Sequence, residues 1–121
     1  MQKLVDSDLI TLRDQVREHL YGGIIPFWMT RAIDAQHGGY LTSFDADGNP
    51  RLEDTNKYIV TQTRMIWGSA VFSELCPDLP VYLENARQGV DFFINHFWDP
   101  ENGGWAWKVQ RLAVTGLKAR T

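Results

Sequence analysis

The sequence predicts an all-α fold in which helix pairs joined by short hairpins repeat along the chain. Three observations predict it. Residues 58–73, YIVTQTRMIWGSAVFS, contain one charged side chain, Arg64. Two other stretches, Leu9, Leu12, Val16, Leu20 and Leu83, Ala86, Val90, Phe93 or Ile94, Phe97, step by three and four residues as helical faces do. Finally, an Asp followed by a double glycine and an aromatic occurs twice at a constant offset of 65 residues, as Asp34 with Gly38-Gly39-Tyr40 and Asp99 with Gly103-Gly104-Trp105, each downstream of a Phe-Trp pair, Phe27-Trp28 and Phe97-Trp98. Repeated helix pairs leave apolar faces that need neighbours, which implies a solenoid or a closed helical ring.

In chain order, Asp8 is suited to cap the first helix. Gly22 and Gly23 weaken that helix, and Pro26 ends or bends it. An apolar cluster follows (Ile24, Ile25, Phe27, Trp28), then the double glycine and a short extended run from Tyr40 to Phe44 with Tyr40, Thr42 and Phe44 on one side. Asp45-Ala46-Asp47-Gly48-Asn49-Pro50 is a turn by its chemistry. The almost charge-free helix is expected from near Thr55 to Leu75, before Cys76 and Pro77. Its apolar residues point in nearly every direction, so it is expected to be buried, with Arg64 held among polar partners or facing a polar ligand in a cavity. A third helix is expected from about Pro80 until Pro100 stops it. An alternating strand, Trp105, Trp107, Val109, completes this part.

Composition narrows the function. A net charge of −3 without a basic stripe argues against nucleic acid as a partner. One cysteine, Cys76, precludes an internal disulfide and suits a reducing compartment; with no basic neighbour in sequence it reads as a small apolar filler. The polar start lacks the apolar core of a signal peptide and no run reaches membrane-helix length, so a soluble, cytoplasmic protein with no membrane partner is expected. Five Trp, six Phe and four Tyr suit either a large core or a surface that stacks sugar rings. Trp105 and Trp107 are open to both readings. Asp45 to Gly48 has the look of a calcium loop, but Asn56 stands where the bidentate Glu belongs, and no metal or cofactor is expected.

Residues 24–28 (IIPFW), Asp34 with Gly38-Gly39-Tyr40, residues 54–57, the run Lys57 to Trp67 (KYIVTQTRMIW), and Asp99 with Gly103-Gly104-Trp105 together resemble the N-terminal part of the N-acylglucosamine 2-epimerase family, which includes cellobiose 2-epimerases and mannose isomerases. The resemblance covers about residues 10 to 109. It implies the opening helix pairs of an (α/α)6 barrel with short β-hairpin loops, truncated. Residues 1–109 form that N-terminal part, and 110–121, with three basic residues and no acid, read as a non-family-like tail of frame-shifted or misjudged origin.

The resemblance also implies proton transfer at C2 of an open-chain sugar through an enediolate. Arg64 matches the family arginine that faces the sugar oxygens, with Tyr58 and Trp107 as weaker substrate-binding candidates. Mannose, N-acetylglucosamine or a disaccharide such as cellobiose is the implied substrate. The family's acid and base histidines lie in later helices, and His19, His37 and His96 match neither, so this chain alone is expected to be inactive. A homodimer is one arrangement open to the full-length protein. One other reading remains at this point, a non-catalytic carbohydrate-binding helical module built on the aromatic hairpins; a glycoside hydrolase would need two inward carboxylates, and Asp34 and Asp99 fall in turn motifs instead.

Overall fold

The computed structural model describes residues 3, 5–53 and 55–110; Asp54 and nearly all of the 110–121 tail lie outside the described residues. Helix α1 (Asp6–His19) starts three residues earlier than Asp8 would set it as a cap. Asp8 is instead the third helical residue, and its carboxylate accepts the Val5 N–H (3.4 Å). The predicted apolar face is a correction: Leu9, Leu12 and Val16 are exposed, and no α1 residue is buried.

The glycines and the proline do not end the helix. A five-residue π turn, Leu20–Ile24, carries it directly into α2 (Ile25–Arg31), with the Ile25 N–H bonded to the Leu20 carbonyl. Proline has no N–H to give to the turn behind it and its ring would crowd the carbonyl four residues back. The wider π register absorbs that defect at Gly22-Gly23, where side chains would offer no resistance.

The 65-residue repeat is real at the level of single hydrogen bonds. In the first turn Asp34 N–H donates to Gly39 O (3.0 Å), Gly38 N–H to Asp34 O (2.8 Å) and Leu41 N–H to Ala32 O (2.7 Å). In the second, Asp99 donates to Gly104 (3.0 Å), Gly103 to Asp99 (2.9 Å) and Ala106 to Phe97 (2.7 Å). Each Asp Oδ1 accepts two further backbone N–H groups, from Gln36 and His37 and from Glu101 and Asn102. Gly38, Gly39, Gly103 and Gly104 all have positive φ, which is why the pair is glycine both times. The Phe-Trp pairs, however, are not in this register: Phe27-Trp28 correspond to Phe92-Phe93. The first extended run shrinks to isolated bridges, Ile33 with Tyr40 and Phe44 with Pro50, and the second to a Trp98–Trp105 bridge followed by a two-residue strand at Lys108–Val109.

Helix α3 (Ile59–Leu75) begins four residues later than expected, because Lys57–Tyr58 (β1) pair antiparallel with Lys108–Val109 (β2), in the register Lys57 to Val109. Helix α4 (Val81–Phe97) starts at Pro80 as expected and packs along α3. Two small cores result: Ile25, Met29 and Tyr82, joined by Leu20, Trp28, Met65, Phe72 and Cys76, and Phe92, Phe97 and Val109, joined by Ile59, Phe93 and Ala106. The α4 face is rotated from the expected one. Tyr82, Asn85, Ala86, Gly89, Phe92 and Phe97 are buried, whereas Leu83, Val90 and Ile94 face outward. A polar and small stripe wins because its groups meet backbone: Asn85 donates to Met29 O (2.9 Å), and Gly89 has no Cβ to collide with the Tyr40 ring.

Between α3 and α4 the first hairpin is held by buried polar groups. Lys57 and Asp34, each 1% exposed at the side chain, form an ion pair at 2.7 Å. The ammonium also donates to Gly38 O and lies 4.5 Å from the Phe92 ring centre. Gln62 grips the Tyr40 peptide at both ends, accepting from its N–H (2.9 Å) and donating to its C=O (2.8 Å), and Gln88 does the same to Gly39 (2.8 and 3.2 Å). The Tyr40 hydroxyl donates to Asn85 O (2.6 Å). Burial pushes that phenol above the ordinary tyrosine value, opposed in part by hydrogen bonds with Ser69 and Gln88.

Two outcomes follow for stability. Lys57→Met leaves a buried carboxylate without its ammonium and is expected to cost about 3–5 kcal/mol in urea unfolding, with Lys57→Met/Asp34→Asn recovering part of it. The stability that Tyr40 contributes is complete below the unfolded phenol's value near 10 and declines as pH rises through the higher folded value. Unfolding curves should therefore lose stability above about pH 10 in the native chain, and Tyr40→Phe should remove that phase.

Candidate functional site

Arg64 lies in the second turn of α3. The entry to that helix is set by Tyr58, which is extended, and by the Ile59 N–H bonded to the Trp107 carbonyl (2.9 Å). Its rotation is set from behind. Gln62 and Ser69, seven residues apart, are the buried residues of α3, and Met65 and Phe72 pack beside them on the first core. Arg64 is two residues from Gln62, or about 200° around the helix, so the Gln62 clamp on Tyr40 turns Arg64 outward.

The expectation of a buried arginine is therefore corrected. Arg64 is exposed, as are Val60 one turn before it and Trp67, 70% exposed, one turn after it. Its guanidinium makes no hydrogen bond or ion pair among the described residues. The cation buried in this region is Lys57, seven residues earlier. The helix is apolar on two faces rather than enclosed, and the outward stripe Val60, Arg64, Trp67 leaves five N–H donors on an apolar surround.

Tyr58 and Trp107, the other two candidates, come together across the β1–β2 pair, with ring centres 5.4 Å apart and planes at 42°. Both are partly exposed, and the Lys108 ammonium lies 5.2 Å from the Trp107 ring. The candidates thus fall into two groups, an aromatic pair at the start of α3 and a guanidinium on its outer side. Two surface hollows of about 510 and 590 Å³ flank the π turn, the first against Glu18 and His19 and the second against Phe27, Arg31 and Asp47. Neither is lined by Arg64, Tyr58 or Trp107.

The carboxylates and histidines take structural places. Asp34 is spent on Lys57 and the first turn, and Asp99 caps the second, so the inward pair that glycoside hydrolysis requires is not formed by these two residues. His96 lies against the Phe92 ring at 4.5 Å, and the His37 backbone N–H is bound by Asp34. Asp45 accepts N–H groups from Asp47 and Asn49, and the backbone bond from Asn49 is the largest cause that lowers its carboxyl below the ordinary value. No group of three or more His, Cys, Asp or Glu suited to a metal ion occurs among the described residues. No described helix is long and apolar enough to cross a membrane.

The buried Lys57–Asp34 pair was missed by sequence reasoning. Its signal was available: a lysine at the head of a nearly charge-free segment, with an Asp at the start of a glycine turn upstream. What was missing was the distance between them, since 23 residues of chain separate the two.

Residues 38–119 match the N-acylglucosamine 2-epimerase (GlcNAc 2-epimerase) family, and the chain belongs to it. It is 34% identical to the cellobiose 2-epimerase of Dictyoglomus turgidum over 106 residues, which cover 84% of this chain and 25% of the relative, and 27% identical to that of Bacteroides fragilis over 81% of this chain and 24% of the relative. The chain therefore spans about a quarter of the length of the relatives it matches. Among solved structures it superposes on the cellobiose 2-epimerase of Spirochaeta thermophila with a TM-score of 0.77 at 25% identity, over 91% of this chain and 26% of the other. A D-mannose isomerase shares the fold at a TM-score of 0.62 and 20% identity, over 73% of this chain and 22% of the other. The helices and hairpins described above are the opening helix pairs of an (α/α)6 barrel.

Arg64 is exposed and makes no side-chain bond among the described residues, while both polar ends of Gln62 are engaged, so their substitutions differ in cost. Arg64→Ala is expected to change unfolding free energy by less than about 0.5 kcal/mol, whereas Gln62→Leu, which orphans both polar ends of the Tyr40 peptide, should cost about 1–3 kcal/mol in the same measurement.

Proposed function

We propose that this chain is the N-terminal portion of a sugar 2-epimerase or aldose–ketose isomerase, in which Arg64 binds the oxygens of an open-chain sugar. The observation that carries the reading is the family match, which spans the Lys57–Trp67 block, together with an exposed guanidinium that has no partner among the described residues. The proton on C2 becomes acidic only if the neighbouring carbonyl oxygen is stabilised as it gains charge. A base takes that proton, an enediolate forms, and an acid returns a proton to the opposite face of C2 for epimerisation or to C1 for isomerisation. A fixed guanidinium beside the two oxygens favours the enediolate, and it does so more strongly in a site closed to water than on the open surface of this chain.

His19, His37 and His96 are placed as helix-end, turn and ring-packing residues, and the reading gives none of them the acid or base role. The chain alone is thus an inactive part of the catalytic unit, and cellobiose, mannose and N-acetylglucosamine are the substrates the relatives suggest. Partial exposure of Tyr58, Trp105 and Trp107 favours a second reading, a stacking surface that binds sugar without chemistry.

Incubation of the 121-residue chain with each sugar in D2O, followed by NMR of the C2 position, is expected to show no exchange; deuterium uptake or epimer formation would overturn the inactivity. In a longer protein containing this sequence, Arg64→Ala should lower kcat/KM by about 10²–10³-fold. An unchanged kcat/KM with intact folding would remove Arg64 from the site. Sugar affinity that depends on Trp107 and not on Arg64 would favour the stacking reading.

A further inference from the structure

The two glycine turns share their backbone bonds but not their surroundings. In the first, Asp34, Gly39 and Tyr40 are buried, and Lys57, Gln62 and Gln88 bond to the turn. In the second, Glu101, Asn102, Gly103 and Gly104 are all exposed, and a Cβ built on either glycine would meet nothing within 4 Å. The residue before the first left-handed glycine differs too: it is His37 in one copy and Asn102 in the other. When glycine follows asparagine, the next backbone nitrogen can attack the side-chain amide, because no Cβ shields that nitrogen. The other asparagines lack this arrangement. Asn49 precedes Pro50, which has no N–H; Asn56 precedes the buried Lys57; Asn85 and Asn95 lie within α4, where the following N–H groups serve the helix.

We propose that Asn102 is a site of spontaneous deamidation whose rate is set by Asp99. Asp99 holds both reacting groups. Its carbonyl accepts the Gly103 N–H (2.9 Å) and its Oδ2 accepts from the Asn102 side-chain amide (3.2 Å), while Oδ1 accepts the Asn102 backbone N–H (3.3 Å). These bonds are few and face water, so the turn opens locally while the helices stay folded. In the opened turn the Gly103 nitrogen gives up its proton and bonds to the Asn102 Cγ. The Cγ–Nδ2 bond breaks, ammonia departs with that proton, and water then opens the five-membered imide at either carbonyl. One product is aspartate; the other is isoaspartate, in which the main chain runs through Cγ and is longer by a methylene. In both, the donor that faced Asp99 Oδ2 becomes a carboxylate beside Asp99 and Glu101, where like charges repel. In the second, the Asp99–Gly103 and Asp99–Gly104 bonds also lose their register. The same hairpin carries Trp107, whose carbonyl accepts the Ile59 N–H at the entry of α3, so the modification reaches the helix of Arg64 without touching it.

The test incubates the 121-residue chain at neutral and mildly alkaline pH and follows intact mass and peptide maps. The expected result is the mass gain of an amide exchanged for an acid, located at Asn102, faster at the higher pH and absent from Asn102→Gln. It should be about tenfold or more slower in the folded chain than in the same chain unfolded in urea. Asp99→Ala is expected to bring the folded rate toward the unfolded one; where that variant does not fold, the comparison of the folded with the urea-unfolded chain decides. The isoaspartate form, separated by ion exchange, should unfold at a lower urea concentration than its parent. No gain at Asn102 in the folded chain over many half-lives of the unfolded reaction overturns the proposal. So does a gain confined to other asparagines, or equal rates in the folded and unfolded chains.

Discussion

A lysine and an aspartate that share almost no contact with water organise this structure. Lys57 enters at the head of α3 and its ammonium ends inside the glycine turn, against Asp34, the Gly38 carbonyl and the face of Phe92. Desolvating both charges is expensive, and the expense is offset only because each remaining polar group there has a partner. One ion pair therefore joins three elements that are distant in sequence: the turn after α2, the entry of α3 and the middle of α4. Around it, Gln62 and Gln88 imitate strand neighbours, binding consecutive peptides of a hairpin too short to form a sheet.

The orientation of the functional candidate follows from that arrangement. With Lys57 buried at the entry and Gln62 turned toward Tyr40, α3 has no freedom to rotate, and Arg64 must face the other way. A cation held by the fold and a cation exposed to solvent lie seven residues apart on one segment, in opposite environments. Lys57 is buried against Asp34 and Gly38, whereas the Arg64 guanidinium faces solvent.

Repetition explains much of the remaining architecture. A turn that recurs with the same three backbone bonds, the same Asp acceptors and the same left-handed glycines presents the same kind of face each time. In the first copy that face is filled by two helices, and in the second Val90, Ile94 and Trp105 meet solvent. The outward apolar stripe on α4 is thus a consequence of position in a repeat, while the inward stripe contains Asn85 and Gly89 because it must meet backbone and ring at close range.

By itself the sequence determined the helical class, the two glycine turns with their constant offset, the Asp45–Pro50 turn and the family. These are local or periodic properties: a double glycine needs no distant partner to adopt positive φ, and a helix pattern is carried within its own turns. Only the tertiary structure decided which charge is buried, which face of α4 points inward, and that Pro26 sits within a continuous helix. Charge-free composition marked α3 as apolar all round, but burial depends on neighbours, and a lysine 23 residues from its aspartate leaves no periodic trace. Arg64 and Lys57 look alike in one dimension; they differ because Asp34 and Gly38 meet only one of them in three.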